Sequence, residues 1–279
     1  MDNKWSAKKS DLNISNRLEG ISGFLRVRNE EEWLSLVIES HMPFLDEIVI
    51  VYNRCTDSTP EIAQDYAKRY PDKIKAIHFE PDVYPQGSKE AISLPINNPH
   101  SLANYYNYAL CQTTRKVALK VDGDQIAIPF AYKQMISFVK KYKNFPYYYK
   151  FKGINLYKKN NKVMVQGYKN FTGMDRGFFE INKKTFPWHN MDRKRGLEIL
   201  NFKNISSKSS KFIGFFHTKG LKRDKGSGNY DLDFNPSSRY HSIFSKEWLK
   251  SKPITWESFI KNKKNNLQYI PHPNNLKIK

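Results

Sequence analysis

The chain has 279 residues, 39% of them hydrophobic and 14% aromatic, and its 47 Lys and Arg against 27 Asp and Glu give a formal net charge of +20. That length and apolar content suffice for one large packed domain, and they exclude disorder of the whole chain. No run of about 18 apolar residues occurs, so no membrane-spanning helix is expected. The stretch Met1 to Glu19 is polar and holds no apolar core of signal-peptide length, so a cytoplasmic chain is expected. Cys55 and Cys111 make neither a disulfide framework nor a metal-type CxxC pair, which fits a reducing compartment. The positive charge suits an acidic substrate, an anionic membrane surface or nucleic acid. An AT-rich coding sequence also yields a chain this rich in Lys, Asn, Ile and Tyr, so charge alone selects none of the three.

In chain order, Ile21 to Arg28 reads as a strand. Asn29 offers a helix cap, and Glu30, Glu31 and Glu32 suit the positive end of a helix whose apolar face is Trp33, Leu36 and Val37. Glu47 to Asn53 contains Ile48-Val49-Ile50-Val51, the continuous apolar run of a strand buried on both faces. Thr59 and Pro60 form a cap followed by proline, and Ala63, Tyr66, Ala67 and Tyr70 follow at helical spacing. Lys73 to Phe79 reads as a strand, Ser101 to Leu110 as a capped helix, Lys116 to Val121 as a strand and Pro129 to Tyr142 as a helix. Alternation of this kind predicts an α/β fold with a mostly parallel sheet covered on both faces. Ligands bind such sheets beyond the carboxyl ends of the strands. Arg28, Asn53 and Asp122 fall at those ends and are expected to converge on one crevice.

The second half differs. Tyr147 to Tyr157 and Lys162 to Tyr168 flank Lys158-Lys-Asn-Asn161, a hairpin pattern. Arg176 to Asn182 reads as a strand and Asp192 to Leu200 as a helix. From Lys246 onward eight lysines stand against two glutamates. The expected organisation is an N-terminal extension over 1–19, a catalytic domain over 20–235 with a small mixed β region on the acceptor side, and a basic tail over 236–279. With Trp248 and Trp256, that tail is expected to suit an anionic membrane surface.

The strongest chemical signal is Val121-Asp122-Gly123-Asp124. Two carboxylates two residues apart at a strand end point to the same side and can hold a hard divalent cation such as Mn²⁺ or Mg²⁺. A diphosphate leaving group needs such a cation against its developing charge. A turn with solvated or capping aspartates is the plainer reading, and the position after a buried strand favours the chemical one.

The stretch Asp46-Glu-Ile-Val-Ile-Val-Tyr-Asn-Arg-Cys-Thr-Asp57-Ser-Thr59 resembles the second-strand motif of family 2 glycosyltransferases and their GT-A relatives. Leu25-Arg-Val-Arg-Asn-Glu-Glu31 is similar to their first-strand motif. Ser101 to Leu110, with Asn104 and Asn107, is similar to the helix before their DxD strand, and Asp122-Gly-Asp124 matches the DxD itself. The four motifs stand in the family's order over residues 20 to 130. The resemblance implies a GT-A enzyme that uses a nucleotide-diphospho-sugar, with a UDP-sugar as the leading donor. A glycan or lipid-linked acceptor in surface polysaccharide or lipopolysaccharide synthesis is implied, with inversion at the transferred sugar. Arg28, Asn53, Asp57 and Asn107 are then expected around base and ribose, and Asp122 and Asp124 at ribose and metal. Relatives often read uracil with an aspartate where this chain has Asn53, which still offers a donor and an acceptor. Asp57 can equally be a cap on the next turn.

Phe215-Phe-His217-Thr-Lys-Gly-Leu-Lys-Arg-Asp224 carries a histidine out of an apolar strand into a basic loop. In many GT-A enzymes a late histidine completes the metal site. His217 is the expected third ligand here, and Lys219, Lys222 and Arg223 the expected phosphate contacts. An inverting transfer also needs a carboxylate base. Asp192, behind Trp188-His189, is the leading candidate and Asp175 the next, with Glu180 and Glu198 in the same region. The rival readings are a nucleotidyltransferase, whose glycine-rich basic first loop is missing from Leu25 to Glu31, and a nucleic-acid-binding protein, for which no module is present. No nucleic-acid partner is therefore expected.

Overall fold

The structure, a computed structural model, describes residues 4–84, 88–160, 162–166, 171–172, 176–192, 197–222, 253–262, 267 and 269–275. Its elements in chain order are β1 (Leu18–Val27), α1 (Leu34–His41), β2 (Glu47–Tyr52), α2 (Thr59–Arg69), β3 (Ile74–His78), α3 (Lys89–Ser93), α4 (Leu102–Cys111), β4 (Arg115–Asp122), β5 (Gln125–Ala127) and α5 (Pro129–Val139). There follow β6 (Tyr147–Lys159), β7 (Lys162–Val165), β8 (Phe171–Thr172), β9 (Gly177–Glu180), β10 (Trp188–Asp192), β11 (Leu197–Asn201), β12 (Ser206–Gly220) and α6 (Trp256–Asn262).

The main sheet runs β3-β2-β1-β4-β9-β6-β12-β5, and β7 and β8 attach to β6. Strands β3, β2, β1 and β4 are parallel, and β6 and β12 are parallel to each other. The short β9 runs antiparallel between β4 and β6, so β4, β6 and β12 all point the same way. This is the α/β, mostly parallel arrangement expected from the strand and helix alternation.

All six residues of β2 are buried. They alternate between two cores, as a period of two demands. Ile48, Ile50 and Tyr52 face α1, α2 and α5, whereas Val49 and Val51 face α4. Each fully buried aliphatic side chain contributes about 1.5–3 kcal/mol, so this run anchors the sheet from both sides. Glu47 opens β2 and is also buried. Its carboxylate accepts from Ser22 Oγ at 2.5 Å and Thr114 N at 2.7 Å and pairs with Lys75 Nζ at 2.8 Å. Burial pushes its pKa up, but Lys75, Ser22 and Thr114 outweigh burial and hold it below the ordinary value.

Three regions depart from the sequence expectations. The segment from Asp192 to Leu200 is no helix: β10 and β11 pair antiparallel, with Asp192 opposite Leu197. The reason is tertiary. Asn107 of α4 donates to His189 O at 2.9 Å and accepts from His189 N at 2.7 Å, and Tyr106 stacks on the His189 ring at 4.8 Å. Those contacts hold β10 extended under α4 against a helical local preference.

The N-terminal stretch expected to be an extension is packed onto the domain. Trp5 lies edge-on to Phe79 at 5.1 Å, the Ala7 N–H donates to Asn104 Oδ1 at 2.8 Å, and Leu12 is fully buried. In the tail, Trp256 and Phe259 of α6 are buried, Trp256 lies 6.1 Å from Phe216, and Ile254 pairs with Val165. Trp256 is therefore a core residue and cannot insert into a membrane surface, while Trp248 lies outside the described residues. Among the described residues no helix is long and apolar enough to cross a membrane.

Candidate active site

Strand β4 delivers Asp122, the chain turns at Gly123-Asp124, and β5 then crosses to pair antiparallel with β12, Gln125 opposite His217. Thr218 N–H donates to Asp124 O at 2.9 Å and clamps the crossing. A turn at the end of one strand is thus carried across the top of the sheet to a strand about 90 residues later. Asp124 Oδ2 lies 3.4 Å from His217 Nε2, and both side chains are about one-tenth exposed. Asn155 Oδ1 is 2.8 Å from His217 Nδ1. An amide oxygen can only accept, so Nδ1 donates to Asn155, and the ring is turned with Nε2 toward Asp124.

Asp122 faces the other way. It pairs with Arg176 and accepts from Gln125 Nε2 at 3.1 Å, and its Oδ1 lies 3.7 Å from Lys120 Nζ. Burial would raise the pKa of Asp122, but Arg176 and Lys120 overcome it and hold the carboxyl far below the ordinary range. Asp124 is likewise held well below the ordinary value, where burial is outweighed by Lys222 and His217. Lys219 is pulled the opposite way. Burial pushes its ammonium down to about 8 despite Asp124.

Beneath α4, Arg26 and Lys120 share a face of the sheet and lie over the Tyr106 ring at 4.3 and 4.6 Å. Glu198 Oε1 of β11 approaches Lys120 Nζ at 3.8 Å. The Nε atoms of Arg26 and Arg28 are buried with no hydrogen-bond partner. Buried donors of this kind are ordinarily satisfied, so a ligand with acceptor atoms would complete both.

The residues expected around the base divide. Arg28 stands at the end of β1 with that unsatisfied donor. Asn53 is almost fully buried, and its amide donates to Phe79 O at 2.6 Å and Pro81 O at 2.7 Å. It fastens the exit of β3 and has no hydrogen left for a base edge. Asp57 accepts from Glu31 N and Thr59 N, both at 3.0 Å, stitching the β1 exit to the start of α2. It is a cap. Asn107 bonds to the His189 backbone through both ends of its amide. Glu180 accepts from Phe145 N and Asn182 Nδ2 at the opposite edge of the sheet, because β9 runs backwards, so it cannot serve as the base. Asp192 ends β10, and Asp175 and Arg223 lie outside the described residues. The expected metal set of Asp122, Asp124 and His217 is only partly assembled. Among the described residues no three of His, Cys, Asp and Glu are grouped to hold an ion.

Sequence reasoning passed over Arg26, Lys120, Arg176, Glu30 and Asn155. Two of these left a signal. Arg26 and Lys120 interrupt otherwise apolar strands, and a charge inside a buried run calls for a partner.

Parallel strand ends that carry two carboxylates set among Arg26, Lys120, Arg176, Lys219 and Lys222 fit a glycosyltransferase of the GT-A type. The chain belongs to the Beta-1,4-N-acetylgalactosaminyltransferase (CgtA) family, whose model matches residues 2–278. Similar solved structures include S. aureus TarS 1–349, at 14% identity and a TM-score of 0.40, covering 84% of this chain and 66% of that one. Another is glucosyl-3-phosphoglycerate synthase from Mycobacterium tuberculosis in complex with Mn²⁺, uridine diphosphate and phosphoglyceric acid, at 16% identity and a TM-score of 0.33. It covers 57% of this chain and 50% of that one, so the chain spans less than two thirds of either structure. No curated protein matches.

Proposed function

We propose that the protein moves N-acetylgalactosamine from a nucleotide diphosphate, with uridine diphosphate as carrier, to a hydroxyl of a glycan or lipid-linked glycan, with inversion. The observation that carries this reading is the cation-rich cluster around Asp122 and Asp124 at the end of β4. Arg26, Lys120, Arg176, Lys219 and Lys222 gather around Asp122, Asp124, Glu30 and Glu198, so the cations outnumber the carboxylates, and the diphosphate of a donor is the complementary anion. The family's description supports the sugar and the β linkage. Nucleotide sugars of this kind carry the sugar in α linkage, so a β product requires inversion.

In this reading Arg176, Lys219 and Lys222 bind the diphosphate, and the open donors of Arg26 and Arg28 meet nucleotide oxygens. Asp124 and His217 fit a divalent cation as a carboxylate–imidazole pair, with the histidine ring oriented by Asn155. When bound, such an ion offsets the charge of the leaving diphosphate. The acceptor oxygen bonds to the anomeric carbon as the carbon–diphosphate bond breaks, and the hydroxyl proton goes to a carboxylate. Glu198 supports that role through its place beside Lys120 in the Asp122 cluster. Asp192 and Asp175 are the alternatives.

Thermal-shift measurements across nucleotide sugars, with and without Mn²⁺, test the reading, because a ligand that binds only the folded state stabilises it by mass action. The largest shift is expected with UDP-N-acetylgalactosamine and Mn²⁺. No shift with any nucleotide sugar would sink it.

A further inference from the structure

Lys222 follows β12 and returns its ammonium to the carboxylates. Its Nζ lies 2.6 Å from Glu30 Oε1 and 3.3 Å from Asp124 Oδ2. The Lys222, Glu30 and Asp124 side chains are 7%, 5% and 10% exposed, so this is an interior contact. The position of Glu30 is built into the Asp-Gly-Asp turn. A Cβ at Gly123 would stand 2.7 Å from Glu30 Cγ, which only glycine avoids. Thr59 Oγ1 accepts from Glu30 N at 2.7 Å and fixes its backbone. Glu30 was expected to serve the start of a helix, but α1 begins at Leu34 and the carboxylate is used here instead. His217 Nε2 also approaches Asp124 Oδ2, at 3.4 Å.

The oxygen of Asp124 that faces His217 is therefore already in contact with a positive charge. An ammonium and a divalent ion on one carboxylate oxygen repel strongly where water is scarce. We propose that Lys222 is a built-in competitor for the divalent cation at Asp124, held there by Glu30 until the donor's diphosphate gives the ammonium another partner. The proposal rests on the metal-dependent reading above and adds a consequence to it. The cation binds poorly by itself and well with the donor, because the donor removes the competitor. A competitor that fills the site in all but about one molecule in ten weakens apparent metal affinity about tenfold.

Two measurements test it, neither of them activity. Calorimetric or EPR titration with Mn²⁺ alone compares wild type with Lys222→Met, which keeps the length of the side chain without its charge. About tenfold tighter binding by the variant is expected. Unchanged or weaker binding overturns the proposal. Should Lys222→Met fail to fold, lysine acylation read by mass spectrometry applies to the wild-type chain. Lys222 should be protected in free protein and become reactive on saturation with Mn²⁺, and in Glu30→Gln it should be reactive without metal. Reactivity that ignores Mn²⁺ overturns the proposal. Wild-type protein that binds UDP equally with and without Mn²⁺ sinks the metal-dependent reading as well. Normal metal-dependent UDP binding with unchanged Mn²⁺ affinity in Lys222→Met overturns the competitor alone.

Discussion

The polar residues at the carboxyl end of β2 and those at the carboxyl end of β4 are used in opposite ways. Around β2, Asn53, Asp57 and, on α4, Asn107 bond to the chain's own backbone. Around β4, Asp122, Asp124, Lys120, Arg176, His217 and Lys222 bond to one another through side chains. Backbone partners cannot leave without local unfolding. Side-chain ion pairs can be exchanged for a ligand's charges at the cost of a rotamer. The first region acts as frame and the second is the proposed site, although both carry the residue types of a binding motif.

That contrast can be broken by substitution. The largest effect is expected from Asp124→Asn, which keeps shape and removes the charge facing His217 and Lys222. Transfer should fall by about 10²- to 10³-fold or more while the melting temperature stays near that of wild type. Normal turnover by the folded variant would move the site elsewhere.

Acid sharpens the comparison, because Asp122 and Asp124 stay ionised well below the ordinary carboxylate range and the site keeps its charge. Between about pH 6.5 and 4 the pH dependence of stability should come from the core, and the two aspartates add their own loss only at lower pH, where the unfolded chain protonates them first. His41 is buried, and burial lowers its pKa from 6.5 to about 4. Val37 O lies 2.8 Å from its Nδ1 and Tyr132 OH 2.8 Å from its Nε2. The unfolded chain takes up the proton first as pH falls. Stability is therefore full above about 6.5 and drops by about 3 kcal/mol as pH falls to about 4. His41→Gln should flatten that slope in urea titrations at a series of pH values. An unchanged slope would place the titrating group elsewhere.

A smaller loss is expected from Asn107→Ala. It removes the two side-chain hydrogen bonds to His189 N–H and C=O and should cost about 2 kcal/mol in denaturant unfolding. Donor affinity of the folded protein should change little, and a selective loss of donor binding would return Asn107 to the site. The smallest effect belongs to Asp57→Ala, about 1 kcal/mol, the usual scale for a lost cap. A change in UDP affinity without a change in stability would contradict its assignment to the frame.

Much of the first half was legible because its signals are local. The apolar run of β2, the Thr59-Pro60 start of α2 and the Asp-Gly-Asp turn after β4 each follow from neighbours in sequence. The alternation of strands and helices also sufficed to place Asp122 at the carboxyl edge. The segment from Asp192 to Leu200 was misread because its conformation depends on Asn107 and Tyr106, more than 80 residues away. Asn53 reads as a ligand contact, and Asp57 as either a contact or a cap, because residue type gives no hint of which backbone groups lie nearby.

By itself, then, the sequence determined the α/β class, the strand that carries the carboxylate pair, and the histidine and lysines that the last long strand brings toward it. Hydrophobic period and residue type specify those things, and both are properties of a short stretch of chain. Only the tertiary structure decided which charges meet. The crossing of β5 to β12 sets His217 against Asp124, the return of the chain after β12 sets Lys222 between Glu30 and Asp124, and β9 brings Arg176 to Asp122. Coulomb interactions fall with distance through space and take no account of separation along the chain, so the pairing of these charges becomes defined only once the sheet has closed.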